Sequence, residues 1–352
     1  MKRKILIYSA LFIAFAICDF SFTSPLNAGG GGGGGGPTLT WLPTLGGNSS
    51  QGYENSSNGS VVVGYASNAA GSYRAFRWTA AGGMQDLGDF GYAYAAAYGV
   101  SADGSVVVGE AWNASFEQRA FRWTAAGGLQ DLGTLGGPYA RAADVSANGS
   151  VIVGESWDAS GNRHAFRWTA TSGMQDLGTF GGFYSGAYGV SADGSVVVGS
   201  AETASNQPRA FRWTAANGMQ PVGTLGVPSD AFSVSADGLV IVGTSTNGNA
   251  FRWTAAGGLQ DLGTLGGIGS RAFDASSNGS VVVGESSDAS GMLRAFRWTA
   301  STGMQSLSTI YGGSIGSGSY LVYANAVSAD GLHVVGYGYN RQANRYQGYS
   351  TN

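Results

Sequence analysis

The chain has a single cysteine and two histidines, and only 11% of its 352 residues are charged. The cysteine, Cys18, lies within an apolar N-terminal stretch. Everything beyond it is therefore without disulfides, thiolate nucleophiles or cysteine metal sites. The two histidines, His164 and His333, fall in different parts of the chain with no nucleophile pattern near either, so a Ser-His-Asp arrangement finds no support. Lysine is confined to Lys2 and Lys4, which leaves arginine as the only strong base of the main chain. Acids outnumber bases overall, and a mildly acidic surface argues against nucleic acid as a partner.

What is abundant is glycine, with 61 residues, alongside aromatics and β-branched residues. That mixture points to short strands joined by tight turns. The N-terminus reads as a secretory signal peptide: Lys2, Arg3 and Lys4 precede ILIYSALFIAFAI at 5–17, a stretch too short for a comfortable membrane span. Cleavage is expected after Cys18 or Ala28, and the segment is assigned to 1–28. Cys18 stands where a lipoprotein would carry its acylated cysteine, but Phe15 and Ile17 do not suit that signal, so a plain cleaved leader is preferred. Residues 29–37, eight glycines and Pro37, form a flexible spacer. The folded domain is expected over 38–352.

That domain is written in repeats. AFRWTA occurs at 75, 120, 165, 210, 250 and 295, with a degenerate copy in QGYSTN at 347–352. A companion phrase, SADGSVVVG at 101–109, has seven copies, and the commonest spacing is 45 residues. Each period reads as four strands: the stretch before SADG, then SVVVG, then RAFRWTA, then MQDLGTL. Asp-Gly or Asn-Gly and AAGG supply the turns. Four strands per repeat is the signature of a β-propeller blade, and a parallel β-helix, which repeats at a shorter period, ranks second. TLTWLPTLGG at 38–47 aligns with the fourth strand GLQDLGTLGG at 128–137, and the last repeat supplies only three strands. The expected fold is therefore an all-β, seven-bladed propeller in which the N-terminal strand completes the last blade and removes a free edge.

These motifs, AFRWT, GGMQDLGTLGG and SADGSVVVG, resemble the HAF-type extracellular repeat of bacteria. The resemblance implies secretion or surface display, sometimes as the passenger of an autotransporter, and implies no established reaction. With no membrane barrel after the last repeat, release or another anchor is expected. The compartment follows as extracellular or cell surface, with the periplasm as an alternative.

Repetition marks scaffold. Phe76 and Trp78 should pack between blades, while Arg77 and its equivalents should pair between blades with a carboxylate or carbonyls. The Asp of MQDLG (Asp86, Asp131, Asp176, Asp261) is the obvious partner, although Trp41, Pro221 and Ser306 stand at equivalent positions. Asp103, Asp193, Asp237 and Asp330 exchange with Asn58, Asn148 and Asn278, which fits a turn residue and not a catalytic carboxylate. Six Asn-x-Ser sequons, Asn113-Ala-Ser among them, matter only in a eukaryotic secretory pathway.

Function is expected where the copies differ: the link between second and third strands, and the link between blades. In an up-and-down blade both lie on one face. Trp112, Phe116, Tyr139, Trp157, Phe183 and Tyr184, with Tyr311 and Tyr320, supply that face with aromatics suited to sugar rings or extended peptides. Glu54, Asp144 and Asp274 should face the central channel, too far apart to share a cation at roughly 2.3–2.6 Å, so no metal and no cofactor is expected. The reading is a monomeric binding module for an extracellular glycan or protein, with no catalytic residue assigned. A carbohydrate-active hydrolase or lyase, with acids of different blades meeting at the mouth, is the alternative, and a structural passenger the third.

Overall fold

The computed structural model describes residues 37–223 and 228–352. The leader, Cys18 and the glycine run lie outside the described residues. Pro37–Asn352 forms one unit, and it is all-β apart from a four-residue helix, Leu307–Ile310. No helix among the described residues is long and apolar enough to cross a membrane.

The strands fall into four-stranded antiparallel groups that follow the repeats. Unit two is typical: Gly91–Val100, Val106–Asn113, Gln118–Thr124 and Gly128–Asp131 pair in that order. Six such units follow one another, the fifth starting at Asp230 and the sixth at Gly266. A seventh holds Tyr320–Val327, Val334–Asn340 and Arg345–Thr351, and the N-terminal strand Leu39–Trp41 pairs with the last of these, Leu39 opposite Thr351 and Trp41 opposite Tyr349. The inner strands are longer than their motifs. Gly181–Val190 absorbs most of the expected inter-unit link, so Tyr139, Phe183 and Tyr184 sit at the starts of strands and not in loops.

The reason for repetition lies between units. Val61, Val63 and Ala75 of unit one pack against Val107, Phe121 and Trp123 of unit two, and Phe121 is completely buried. Equivalent clusters recur along the chain. Val62, Ala66 and Phe76 of the first unit pack against Leu42, Ala326 and Val335 of the seventh. Each fully buried Phe contributes about 2 kcal/mol through apolar area removed from water. In unit seven Tyr349 occupies the Phe position, and its hydroxyl donates to Tyr323 O at 2.8 Å.

The SADG turn is a second interlock. Asp103 Oδ1 accepts from the Ser101 hydroxyl at 2.7 Å and from Ser105 N at 2.9 Å, and Asn58 Oδ1 accepts the same pair in unit one at 3.0 Å each. Only an acceptor oxygen is required, which explains why Asp and Asn exchange. Gly104 has φ +73°, and a Cβ there would stand 2.4 Å from Val61 Cγ2 of the preceding unit. The residue before each Asp or Asn links one turn to the next through its backbone. Ser57 N donates to Ala102 O, Ala102 N to Ala147 O, and the succession continues through Ala192, Ala236, Ser277 and Ala329, whose N donates to Ser57 O.

Three of the six repeated arginines answer to this turn, not to the Asp of MQDLG. Arg77 Nε donates to Gly104 O at 3.0 Å, Arg167 Nε to Gly194 O at 3.4 Å and Arg252 Nε to Gly279 O at 2.9 Å, each in the following unit. The expected pairing with Asp86, Asp131, Asp176 and Asp261 is therefore corrected. Those carboxylates take the residue before AFRWT instead: Arg74, Arg119, His164 and Asn249. Three strand positions on, Arg77 points to the opposite side of the sheet from Arg74, faces the neighbouring unit and cannot reach the same carboxylate. Where Pro221 replaces the Asp, Arg209 Nε is buried without a partner. Where Ser306 replaces it, Arg294 turns to Asp288 at 2.9 Å.

Candidate functional site at the variable face

The second-to-third strand turns and the inter-unit links of the first three units gather aromatics at one side. From the inner strands outward, Tyr98, Tyr53, Tyr65, Tyr73, Tyr94, Trp112, Tyr139 and Trp157 form a continuous succession of ring contacts. Centroids are 5.0 Å apart at Tyr53–Tyr98 and no more than 6.4 Å apart elsewhere. Tyr92 joins Trp112 to Phe116, the latter pair 4.9 Å apart. Four of the six expected binding residues, Trp112, Phe116, Tyr139 and Trp157, thus belong to one track.

Phe116 is unusual in its backbone as well. It has φ +62° at the tip of its turn, where the equivalent residues are Gly71, Gly161, Gly248 and Gly291. A left-handed phenylalanine costs about 1–2 kcal/mol, and this one stays 58% exposed.

Phe183 is exposed but makes no ring contact among those described; Glu202 only accepts from its backbone N at 3.3 Å. Tyr184 is not a surface platform. Its hydroxyl donates to Glu155 Oε2 at 3.1 Å, and Arg163 lies over its ring at 4.4 Å. Tyr311 is a correction of the same kind: it follows the short helix and is buried in the core between units six and seven. Tyr320 does lie at the variable face, packed on Tyr339 and Tyr346.

At the inner end of the track the structure brings together Glu110 and Glu155 around Arg141, residues that motif reading passed over. They follow the SVVVG or SVIVG phrase in units two and three, as Glu285 does apart from them in unit six. Glu110 accepts from the Tyr98 hydroxyl at 3.0 Å and from Gln118 Nε2. Burial pushes its carboxyl above the usual range, against the pull of Arg141. Glu155 is held by Arg141 at 3.4 Å and Arg163 at 3.5 Å. Burial also raises the Tyr98 and Tyr184 hydroxyls well above an ordinary tyrosine, so both remain donors at any physiological pH. The signal for this cluster was present in the sequence: only Glu follows SVVVG in these copies, where Tyr65, Ser200 and Thr244 stand in others.

The channel acids behave as staples. Asp144 Oδ2 accepts from Val190 N of unit four at 2.8 Å. Asp274 accepts from Val327 N of unit seven at 2.8 Å and from the Ser233 hydroxyl of unit five at 2.7 Å. All three acids are half-buried. Burial raises Asp144 to about 7 and Asp274 to about 6, and it lifts Glu54 well above the carboxylate range. Among the described residues, no three of His, Cys, Asp and Glu gather as a metal centre requires.

No family model matches the chain, and no curated protein matches it. Among solved structures the chain is similar to TolB from Acinetobacter baumannii, at 13% identity and a TM-score of 0.49, over 69% of this chain and 62% of that one. It thus spans less than two thirds of that protein. A putative TolB from Agrobacterium tumefaciens is similar at 16% identity and a TM-score of 0.46, over 64% of this chain and 83% of that one.

Proposed function

We propose that the chain is a seven-bladed β-propeller of the HAF-type repeat kind, exported by its N-terminal segment, that binds an extended extracellular glycan across its variable face. The blade count is supported by the repeat pattern, by the strand Leu39–Trp41 pairing into the last unit, and by the backbone hydrogen bonds that lead from Ser57 through six further units back to Ser57. Export is supported by the basic start and the apolar stretch at 5–17.

The glycan reading rests on one observation, the unbroken aromatic track from Tyr98 to Trp157. A sugar polymer presents alternating C–H faces and hydroxyls, and rings edged by hydroxyls, carboxylates and amides meet both. The test is binding of the purified protein to an array of glycans and surface polymers, beside a folded Trp112→Ala/Trp157→Ala variant. Saturable binding that the variant loses supports the reading; absence of binding to every glycan sinks it.

A second reading has one observation in its favour. Glu110 and Glu155, from neighbouring units, both engage Arg141 at the inner end of the track. Two carboxylates so placed could serve glycoside cleavage. Turnover of a bound glycan, lost in Glu110→Gln, selects the enzyme; binding without turnover selects the module.

A further inference from the structure

Units three and six carry the same polar constellation in two states. Both have an Arg on the first strand opposite a Glu on the second: Arg141 with Glu155, and Arg271 with Glu285. In unit three the Glu is fully provided for by Arg141, by Arg163 and by the Tyr184 hydroxyl. In unit six Glu285 keeps only Arg271, at 3.0 Å to Oε1. The position of Arg163 is taken by Leu293. The counterpart of Tyr184 is Tyr320, whose hydroxyl pairs with that of Tyr346 at 3.1 Å and whose ring lies under Arg294. Glu285 Oε2 is left buried with no partner, in a residue only 4% exposed. Leu293 and Met292 stand exposed where unit three has its second guanidinium.

A buried carboxylate oxygen without a donor is costly, so a group that supplies the donor is favoured. The group must also suit the local charge. Asp230 of unit five shares Arg271 with Glu285, which leaves two carboxylates around one guanidinium. Tyr323 interacts electrostatically with Glu285, and Phe273 packs beside Tyr323 with ring centroids 6.4 Å apart, so aromatic rings are at hand for a cation there.

We infer that the mouth of unit six is a binding site for an organic ammonium group standing in for the missing Arg163, and that it takes the free amine of an amino-sugar residue. The inference rests on the glycan reading above. A glycan lying on the aromatic face would set its amine at Glu285 Oε2, with the sugar ring beside Phe273 and Tyr323.

The experiment compares binding of oligomers of glucosamine and of N-acetylglucosamine, matched in length, to the full protein by calorimetry. Two variants run alongside. Glu285→Gln removes the acceptor charge, and Leu293→Arg supplies from within the cation that unit three already has. The free-amine oligomer is expected to bind about tenfold more tightly, as one charge-assisted hydrogen bond allows. Both variants should erase that preference while leaving N-acetylglucosamine binding in place, and Leu293→Arg, which supplies the missing donor, should raise the melting temperature. If both oligomers bind equally, the glycan reading stands and the amine site is overturned. If neither binds but a lysine-rich peptide does, and Leu293→Arg abolishes it, the site takes a peptide ammonium and the amino-sugar assignment is overturned. If nothing on the glycan array binds either, the glycan reading falls with it.

Discussion

Asp103 and Gly104 sit side by side in a turn and differ completely in what they demand. Asp103 supplies an acceptor oxygen that Asn58 supplies equally well one unit earlier. Asp103→Asn is therefore expected to leave stability within about 0.5 kcal/mol of the parent in urea denaturation. Gly104 combines a left-handed backbone with a contact that leaves no room for a methyl group. Gly104→Ala should cost at least about 1–2 kcal/mol from the backbone alone, with the Val61 clash added. Phe116 inverts the case. It holds a left-handed backbone without need, since four sister turns use glycine. Phe116→Gly is expected to raise stability by about 1 kcal/mol and to weaken glycan binding, the signature of strain kept for a surface role. A variant that is more stable and binds as well as the parent would show that the ring has no part in recognition.

At the scale of the four-stranded unit, the contacts that matter run to the neighbour. Trp123 is 6% exposed and packed on unit one, so Trp123→Ala should cost about 3–5 kcal/mol through the cavity it leaves. An unchanged melt would remove that packing role. The channel staples give a pH signature. Asp144 and Asp274 have folded-state values of about 7 and about 6, above that of the unfolded chain. Between those values and the ordinary carboxylate range the native state binds the extra protons, so stability falls as pH rises through this window. Glu54, Glu110, Asp230 and Glu285 are raised by burial and act in the same direction. Denaturation midpoints should be higher at pH 5 than at pH 8, with a shallower slope in Asp144→Asn/Asp274→Asn. The sequence disclosed the unit's strands and turns because period-two patterning and Asn-Gly or Asp-Gly are local signals. It could not disclose that Arg77 reaches a carbonyl 27 residues on, or that Asp86 belongs to Arg74, because both depend on which side of the sheet meets the next unit.

At the scale of the whole molecule, the strand at Leu39–Trp41 joins the beginning of the chain to its end. Removing residues 37–42 exposes the edge at Arg345–Thr351 and deletes the fully buried Leu42. A loss of at least about 3 kcal/mol is expected, with edge-to-edge association visible in sedimentation. The alignment of TLTWLPTLGG with a fourth strand made this legible in advance, whereas the site was legible only in part. Trp112, Phe116, Tyr139 and Trp157 announce themselves as aromatics in variable segments. Tyr53, Tyr65 and Tyr98, which carry the track inward, sit in strands that read as scaffold. Glu285 differs from Glu155 through the leucine that replaces Arg163 and through Tyr320, whose hydroxyl goes to Tyr346 where Tyr184 bonds its Glu, and both differences are invisible without the pairing.

The same junction has a mechanical meaning. Thr38 and Asn352 exchange both of their backbone hydrogen bonds, so the two ends of the domain leave from one end of an antiparallel pair. A force drawing those ends apart meets the bonds one after another, as a zipper does, and not all together as shear would load them. Leu39–Trp41 is the shortest strand in the molecule and would be the first to yield. Under tension the domain would open at this fastener while the remaining six units, each sealed to its neighbours by Phe and Trp, kept their shape.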